Sequence, residues 1–139
     1  MVCSQTRVQP NLLYWKRREA GEPTKIMVVD DERLIADMFA TILNYNGYRA
    51  LPLYGAEEAI EHARMIRFDL ALLGVCMPGM HGVNAGILIR HLQRRCKVVL
   101  WVEDIPVELR TLADAYGFDH VPLPIPHTVF IRRINGLVP

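Results

Sequence analysis

From Lys25 onward the chain alternates between short apolar runs and longer stretches with helical periodicity. Ile26 to Val29 is a four-letter apolar run that reads as a buried strand. Leu34, Ile35, Met38, Phe39, Ile42 and Leu43 then form an apolar stripe at helical spacing, which stops at Asn46-Gly47. Arg49 to Tyr54 reads as extended and Ala56 to Ile66 as helical, with Glu57 and Glu58 suited to a positive helix start. Leu70 to Leu73 is a second buried strand. Val83 to Arg95 is predicted helical, with Val83, Ile87 and Leu92 inward and Arg90, Arg94 and Arg95 in water. Val98 to Val102 makes a fourth strand, Asp104 and Pro106 open a helix that runs through Tyr116, and Gly117 ends it. His120 to Leu123 is the fifth strand, and a last helix covers Thr128 to Leu137. Five strands alternating with helices predict right-handed βαβ units, a parallel sheet covered on both faces, and a functional crevice at the carboxyl ends of the strands.

Composition fits one globular α/β domain, since 139 residues with 51% hydrophobic and 22% charged content can bury a core. A formal charge of +1 gives no broad electrostatic case for nucleic acid or an anionic membrane as partner. Three cysteines, Cys3, Cys76 and Cys96, are odd in number and scattered, which favours reduced thiols and a cytoplasmic location. No apolar run reaches the length of a membrane span or a signal-peptide core. Residues 1–24 show no period and carry Pro10, Gly21 and Pro23, so the domain is expected at 25–139 behind a flexible N-terminal extension. Within that extension Leu12, Leu13, Tyr14 and Trp15 precede Lys16, Arg17 and Arg18, a pattern that fits either a short amphipathic anchor or an unstructured tail.

The strand ends carry the candidate chemistry. Strand one ends in Asp30-Asp31, and adjacent carboxylates repel unless a cation or a function compensates. Alternatively the pair simply begins the next helix, with Asp31 as its N-cap. Strand three ends in Gly74, before the turn Pro78-Gly79, and glycine delivers no side chain. Dinucleotide-loop and P-loop spacings are absent, and His62, His81, His91, His120 and His127 show no metal-ligand spacing.

VVDDE (Val28 to Glu32), DLALLGVCMPGMHG (Asp69 to Gly82) and the alternation from Lys25 to Leu137 resemble the receiver domain of bacterial two-component response regulators. That resemblance implies a flavodoxin-like, CheY-like fold with a doubly wound five-stranded parallel sheet in the order 2-1-3-4-5. In the family an aspartate at the end of strand three accepts a phosphoryl group from a histidine kinase. The acidic pair holds Mg²⁺, a Thr or Ser ends strand four, and a Lys precedes a proline after strand five.

Carried over residue by residue, Asp30 and Asp31 match the metal-binding acids, while Gly74 stands at the phosphoacceptor position. Val102 stands at the hydroxyl position, and the lysine position falls on Leu123 or on Pro124. A glycine hydrogen cannot replace an in-line oxygen nucleophile, and Asp69 precedes strand three and so lies at the opposite edge. Another account of Gly74 is a backbone position needing positive φ. Without a third carboxylate the acidic pair should bind Mg²⁺ weakly. The resemblance therefore implies a pseudo-receiver of phosphorelay signalling: not an enzyme, requiring no cofactor, and acting by contact with a histidine kinase or output protein or as a homodimer. No output domain is expected after Pro139, and hence no direct DNA binding. The contrasting expectation is an active phosphoacceptor using a non-standard site with Mg²⁺. His120, near an aromatic switch position of the family, is a candidate partner-binding residue; Trp101 is either a second one or core filling.

Overall fold

A computed structural model describes residues 21–138. The segment Leu12 to Arg18 and Cys3 lie outside the described residues, so the expectation for the N-terminal extension is not addressed by the fold. Ten elements alternate strictly. They are β1 (Lys25–Val29), α1 (Arg33–Tyr45), β2 (Arg49–Leu53), α2 (Ala56–Met65), β3 (Leu70–Gly74), α3 (Gly82–Leu92), β4 (Lys97–Val102), α4 (Val107–Ala115), β5 (Asp119–Pro122) and α5 (His127–Leu137). The sheet is five-stranded in the order β2-β1-β3-β4-β5, and every pairing is parallel. Both the strand order and the α/β class match the expectation from sequence.

Strand alternation divides the interior in two. Ile26, Val28, Leu70, Leu72, Val99 and Trp101 point to the face covered by α1 and α5, where Phe39, Leu43, Phe130 and Ile134 meet them. Met27, Val29, Ala71, Leu73, Val98 and Leu100 point to the other face, packed by α2, α3 and α4. Because both faces are covered, the central strands read as continuous apolar runs, each fully buried Leu, Ile or Val contributing roughly 1.5–3 kcal/mol.

Several sequence expectations change in detail. On α1 the inward residues are Ala36, Phe39, Ala40 and Leu43, whereas Leu34 is 79% exposed and Met38 45% exposed. The helix lies on the sheet through two alanines, which turns the outer part of the apolar stripe toward water. Helix α3 stops at Leu92 rather than Arg95, because Gln93 turns inward. The Gln93 side chain is 3% exposed; it accepts from Phe68 N at 2.8 Å and donates to the Ala63 and Ile66 carbonyls at 2.8 and 2.6 Å. Arg90 is half-buried rather than wet: its Nε donates to the Cys96 carbonyl at 3.0 Å and its guanidinium lies over the Phe118 ring. Cys96 is buried as expected of a small apolar residue, and desolvation pushes its thiol up to about 12.

Candidate functional site

The carboxyl ends of β1, β3 and β4 converge on one crevice. Asp30 follows β1 directly, Gly74 is the last residue of β3, and Trp101 is registered beside Gly74 on β4. The shared register puts the Trp101 side chain on the same sheet face as a side chain at position 74 would occupy. A Cβ on Gly74 would stand 2.8 Å from Asp30 Oδ2 and 3.0 Å from Trp101 Nε1, so the space over Gly74 is already claimed from both sides. Gly74 is not among the described glycines with positive φ, which removes the backbone explanation for it. Its neighbour in the loop is tighter still: a Cβ on Gly82 would sit 2.0 Å from the Gly74 carbonyl oxygen, and the Gly82 N–H donates to Val75 O at 2.9 Å. The β3–α3 loop therefore folds back onto the end of β3, a constraint that the sequence reading missed.

Trp101 is the largest of the fully buried side chains, 1% exposed, so it is core rather than a docking platform. Its ring meets Phe39 edge-on at 4.4 Å, and Phe39 in turn meets Phe130 at 4.6 Å. The indole Nε1 is buried without a hydrogen-bond partner. An N–H aimed at this space is a donor and cannot serve a cation as a ligand.

Asp30 is half-buried, and its Oδ1 accepts the Glu32 N–H at 2.9 Å. Burial is the main reason its carboxyl is pushed up to about 6; the Glu32 N–H opposes the shift, and the neighbouring Asp31 and Glu32 charges add to it. Asp31 is exposed and does not cap α1, whose N-cap is Glu32 without a side-chain cap bond. Asp30 Oδ1 instead holds the N–H of the N-cap residue Glu32, and no side chain takes the capping role that the sequence had offered to Asp31. Among the described residues no group of three or more His, Cys, Asp and Glu could hold a metal ion. Two carboxylates beside an indole N–H are a thin donor set for Mg²⁺, which prefers six oxygen ligands.

The remaining positions are apolar. Val102 ends β4, and the Leu123 N–H donates to its carbonyl at 3.2 Å, which brings the two side by side; Leu123 precedes Pro124. His120 is half-buried on β5, its Nε2 lacks a hydrogen-bond partner, and its carbonyl accepts from Arg133 at 2.8 Å. Asp69 sits at the opposite edge of the sheet, 6% exposed, accepting the Lys25 N–H at 2.8 Å.

Residues 26–128 match the family model of the response regulator receiver domain. The chain belongs to the response regulator receiver family. It is 31% identical over 123 residues to the probable transcriptional regulatory protein TcrX of Mycobacterium tuberculosis, covering 88% of this chain and 53% of that protein. It is 32% identical over 112 residues to the DNA-binding response regulator MtrA of Mycolicibacterium smegmatis, covering 81% of this chain and 49% of that one. The receiver spans about half the length of these curated relatives. Among solved structures, a CheY-like receiver domain protein from Methanospirillum hungatei superposes with a TM-score of 0.79 at 22% identity, covering 83% of this chain and 93% of that one. Chemotaxis protein CheY4 of Vibrio cholerae gives 0.77 at 21% identity, covering 84% and 100%. These likenesses carry the fold, and the receiver is a module of two-component signalling. No helix among its described residues is long and apolar enough to cross a membrane.

Proposed function

We propose that this receiver is a pseudo-receiver, which signals without phosphorylation by contact with other proteins. The observation that carries the reading is the filled space over Gly74, where Trp101 Nε1 and Asp30 Oδ2 stand within 3.0 Å of any side-chain atom that could begin there. Phosphoryl transfer to protein needs an oxygen nucleophile in line with phosphorus and a cation to meet the developing charge. Gly74 offers no nucleophile, Val102 no hydroxyl and Leu123 no cation. Asp69, at the strand-start edge, has no route to the crevice.

In this reading Mg²⁺ binds weakly at Asp30 and Asp31 and is not required. The partner is a histidine kinase or an output protein of the same pathway, met in the cytoplasm. MtrA is named for DNA binding, but the match covers about half of it, so DNA binding is not assigned to this chain.

Intact-mass spectrometry at neutral pH, after incubation with acetyl phosphate and Mg²⁺, tests the proposal. The expected spectrum is that of the unmodified chain. A stoichiometric phosphoryl adduct on an aspartate would overturn the reading in favour of an active phosphoacceptor.

A further inference from the structure

A parallel sheet places every strand start at one edge of the molecule and every strand end at the other, and the charges divide along the same line. Lys25, Arg49 and Lys97 open β1, β2 and β4, Arg64 lies in the last turn of α2, and Arg94 and Arg95 follow α3. Arg49, Arg64, Arg94 and Arg95 are exposed. The acids at this edge offset only part of that charge: Glu22 lies exposed ahead of β1, Asp69 is buried near Arg67 at 4.0 Å, Asp119 faces Lys97 at 3.6 Å, and Asp114 is near the end of α4. At the strand-end edge Asp31, Glu32, Glu57, Glu103, Asp104 and Glu108 are all exposed around the crevice. The cations near them are Arg33, drawn over the Tyr54 ring at 4.1 Å, and Arg110 on α4. A formal charge of only +1 thus hides two oppositely charged ends.

Part of this polarity answers the helix dipoles, since acids favour helix starts and bases favour helix ends. It also makes each end complementary to the other end of a second molecule. The crevice rim is also under-compensated, because its six exposed acids face only Arg33 and Arg110.

We propose that copies of this chain associate head to tail, the basic strand-start edge of one seated on the acidic crevice rim of the next, so that Arg94 and Arg95 supply the cations the crevice lacks. The contact is heterologous: each pair keeps one free basic end and one free acidic end, and the assembly grows with concentration instead of closing as a two-fold dimer. It rests on charge placement and goes beyond the phosphorylation reading, which can stand or fall separately. Because the charges are exposed, the association is screened over a Debye length of about 10 Å at 0.1 M salt.

Sedimentation velocity over a concentration series of the full chain tests this, at about 20 mM and about 300 mM NaCl, where screening differs several-fold. The expected result is a sedimentation coefficient that rises with concentration at low salt and returns to the monomer value at high salt. Arg94→Glu/Arg95→Glu and, separately, Asp31→Lys/Glu32→Lys should each weaken association about tenfold or more, and an equimolar mixture of the two variants should restore it. Glu61→Lys, on the exposed side of α2, should leave it unchanged, and thermal melts confirm that each variant is folded. A wild-type monomer at all concentrations in low salt overturns the proposal. So does self-association that Arg94→Glu/Arg95→Glu leaves intact, a closed dimer that does not grow, or binding of duplex DNA at this edge by an otherwise monomeric protein.

Discussion

At Gly74 the smallest kind of residue lies beside the largest buried side chain among the described residues, and the two explain each other. Trp101 can meet Phe39 edge-on with its Nε1 over β3 only because position 74 has no Cβ. The cost of the unpaired indole N–H, about 1–3 kcal/mol, is met by burial of the ring. Asp30 shares this confined space, and its titration is a readable consequence. A carboxyl whose pKa rises from 3.8 unfolded to about 6 folded holds its proton more tightly in the native state. Native stability must then fall as pH rises through that interval: the protonated group's contribution is present below about 4 and lost above about 6. Asp30→Asn, which cannot ionise, should therefore melt higher than wild type at pH 8, by on the order of 1 kcal/mol once solvent screening of the half-exposed carboxyl is allowed for, with the difference vanishing near pH 4. Melting curves across pH 4–8 decide it; a variant less stable than wild type at pH 8 would mean that the Glu32 N–H bond outweighs the cost of charge. Sequence alone exposed the missing nucleophile at Gly74 and offered Trp101 on strand four as core filling, but only the register of β3 and β4 shows that its side chain faces position 74.

For an element, the apolar pattern announces existence and type more reliably than facing. Helix α1 is plain from the spacing of Leu34 to Leu43, yet its buried side is 36, 39, 40 and 43, a helical series whose alanines carry little hydrophobic signal. Ala36 and Ala40 let the helix approach the sheet, and that closeness leaves Leu34 and Met38 outside. The end of α3 departs from the pattern for a related reason: a polar Gln93 reads as solvent-facing until its three backbone partners are seen. Gln93 joins the end of α2, the start of β3 and the end of α3, satisfying two carbonyls and one N–H that would otherwise be orphaned. Gln93→Ala should cost roughly 2–4 kcal/mol, more than a surface glutamine could, since each buried unpaired group costs about 1–3 kcal/mol. Urea unfolding measures this. A loss below 0.5 kcal/mol, the range of ordinary surface substitutions, would show that water replaces the amide without penalty.

At the scale of the whole molecule, the proposed pseudo-receiver separates architecture from chemistry. Strand order, two-sided core and crevice position all follow from the alternation of runs, which is why the fold was legible from Lys25 onward. The crevice keeps its place at the strand ends while its contents have changed. Sequence positions call for three substitutions to restore a phosphoacceptor, Gly74→Asp, Val102→Thr and Leu123→Lys, and because these groups act on one phosphoryl group their effects should be strongly non-additive. The structure adds a fourth. A carboxylate at position 74 enters space held by Trp101 Nε1 and Asp30 Oδ2, and Phe39 at 4.4 Å limits the indole's retreat. Gly74→Asp alone should lose about 1–3 kcal/mol through crowding and like-charge repulsion and take up no phosphate. The triple variant, with indole in place, should stay unphosphorylated even with Mg²⁺. Adding Trp101→Leu removes the obstruction at a cost of about 2–4 kcal/mol, part of which the new aspartate recovers by filling the space. Phosphate uptake from acetyl phosphate, followed by intact mass across the series, should appear only in the quadruple variant. Uptake by the triple variant would show that Trp101 yields its place readily, and that restoring side-chain chemistry alone, without unplugging the crevice, suffices for phosphorylation.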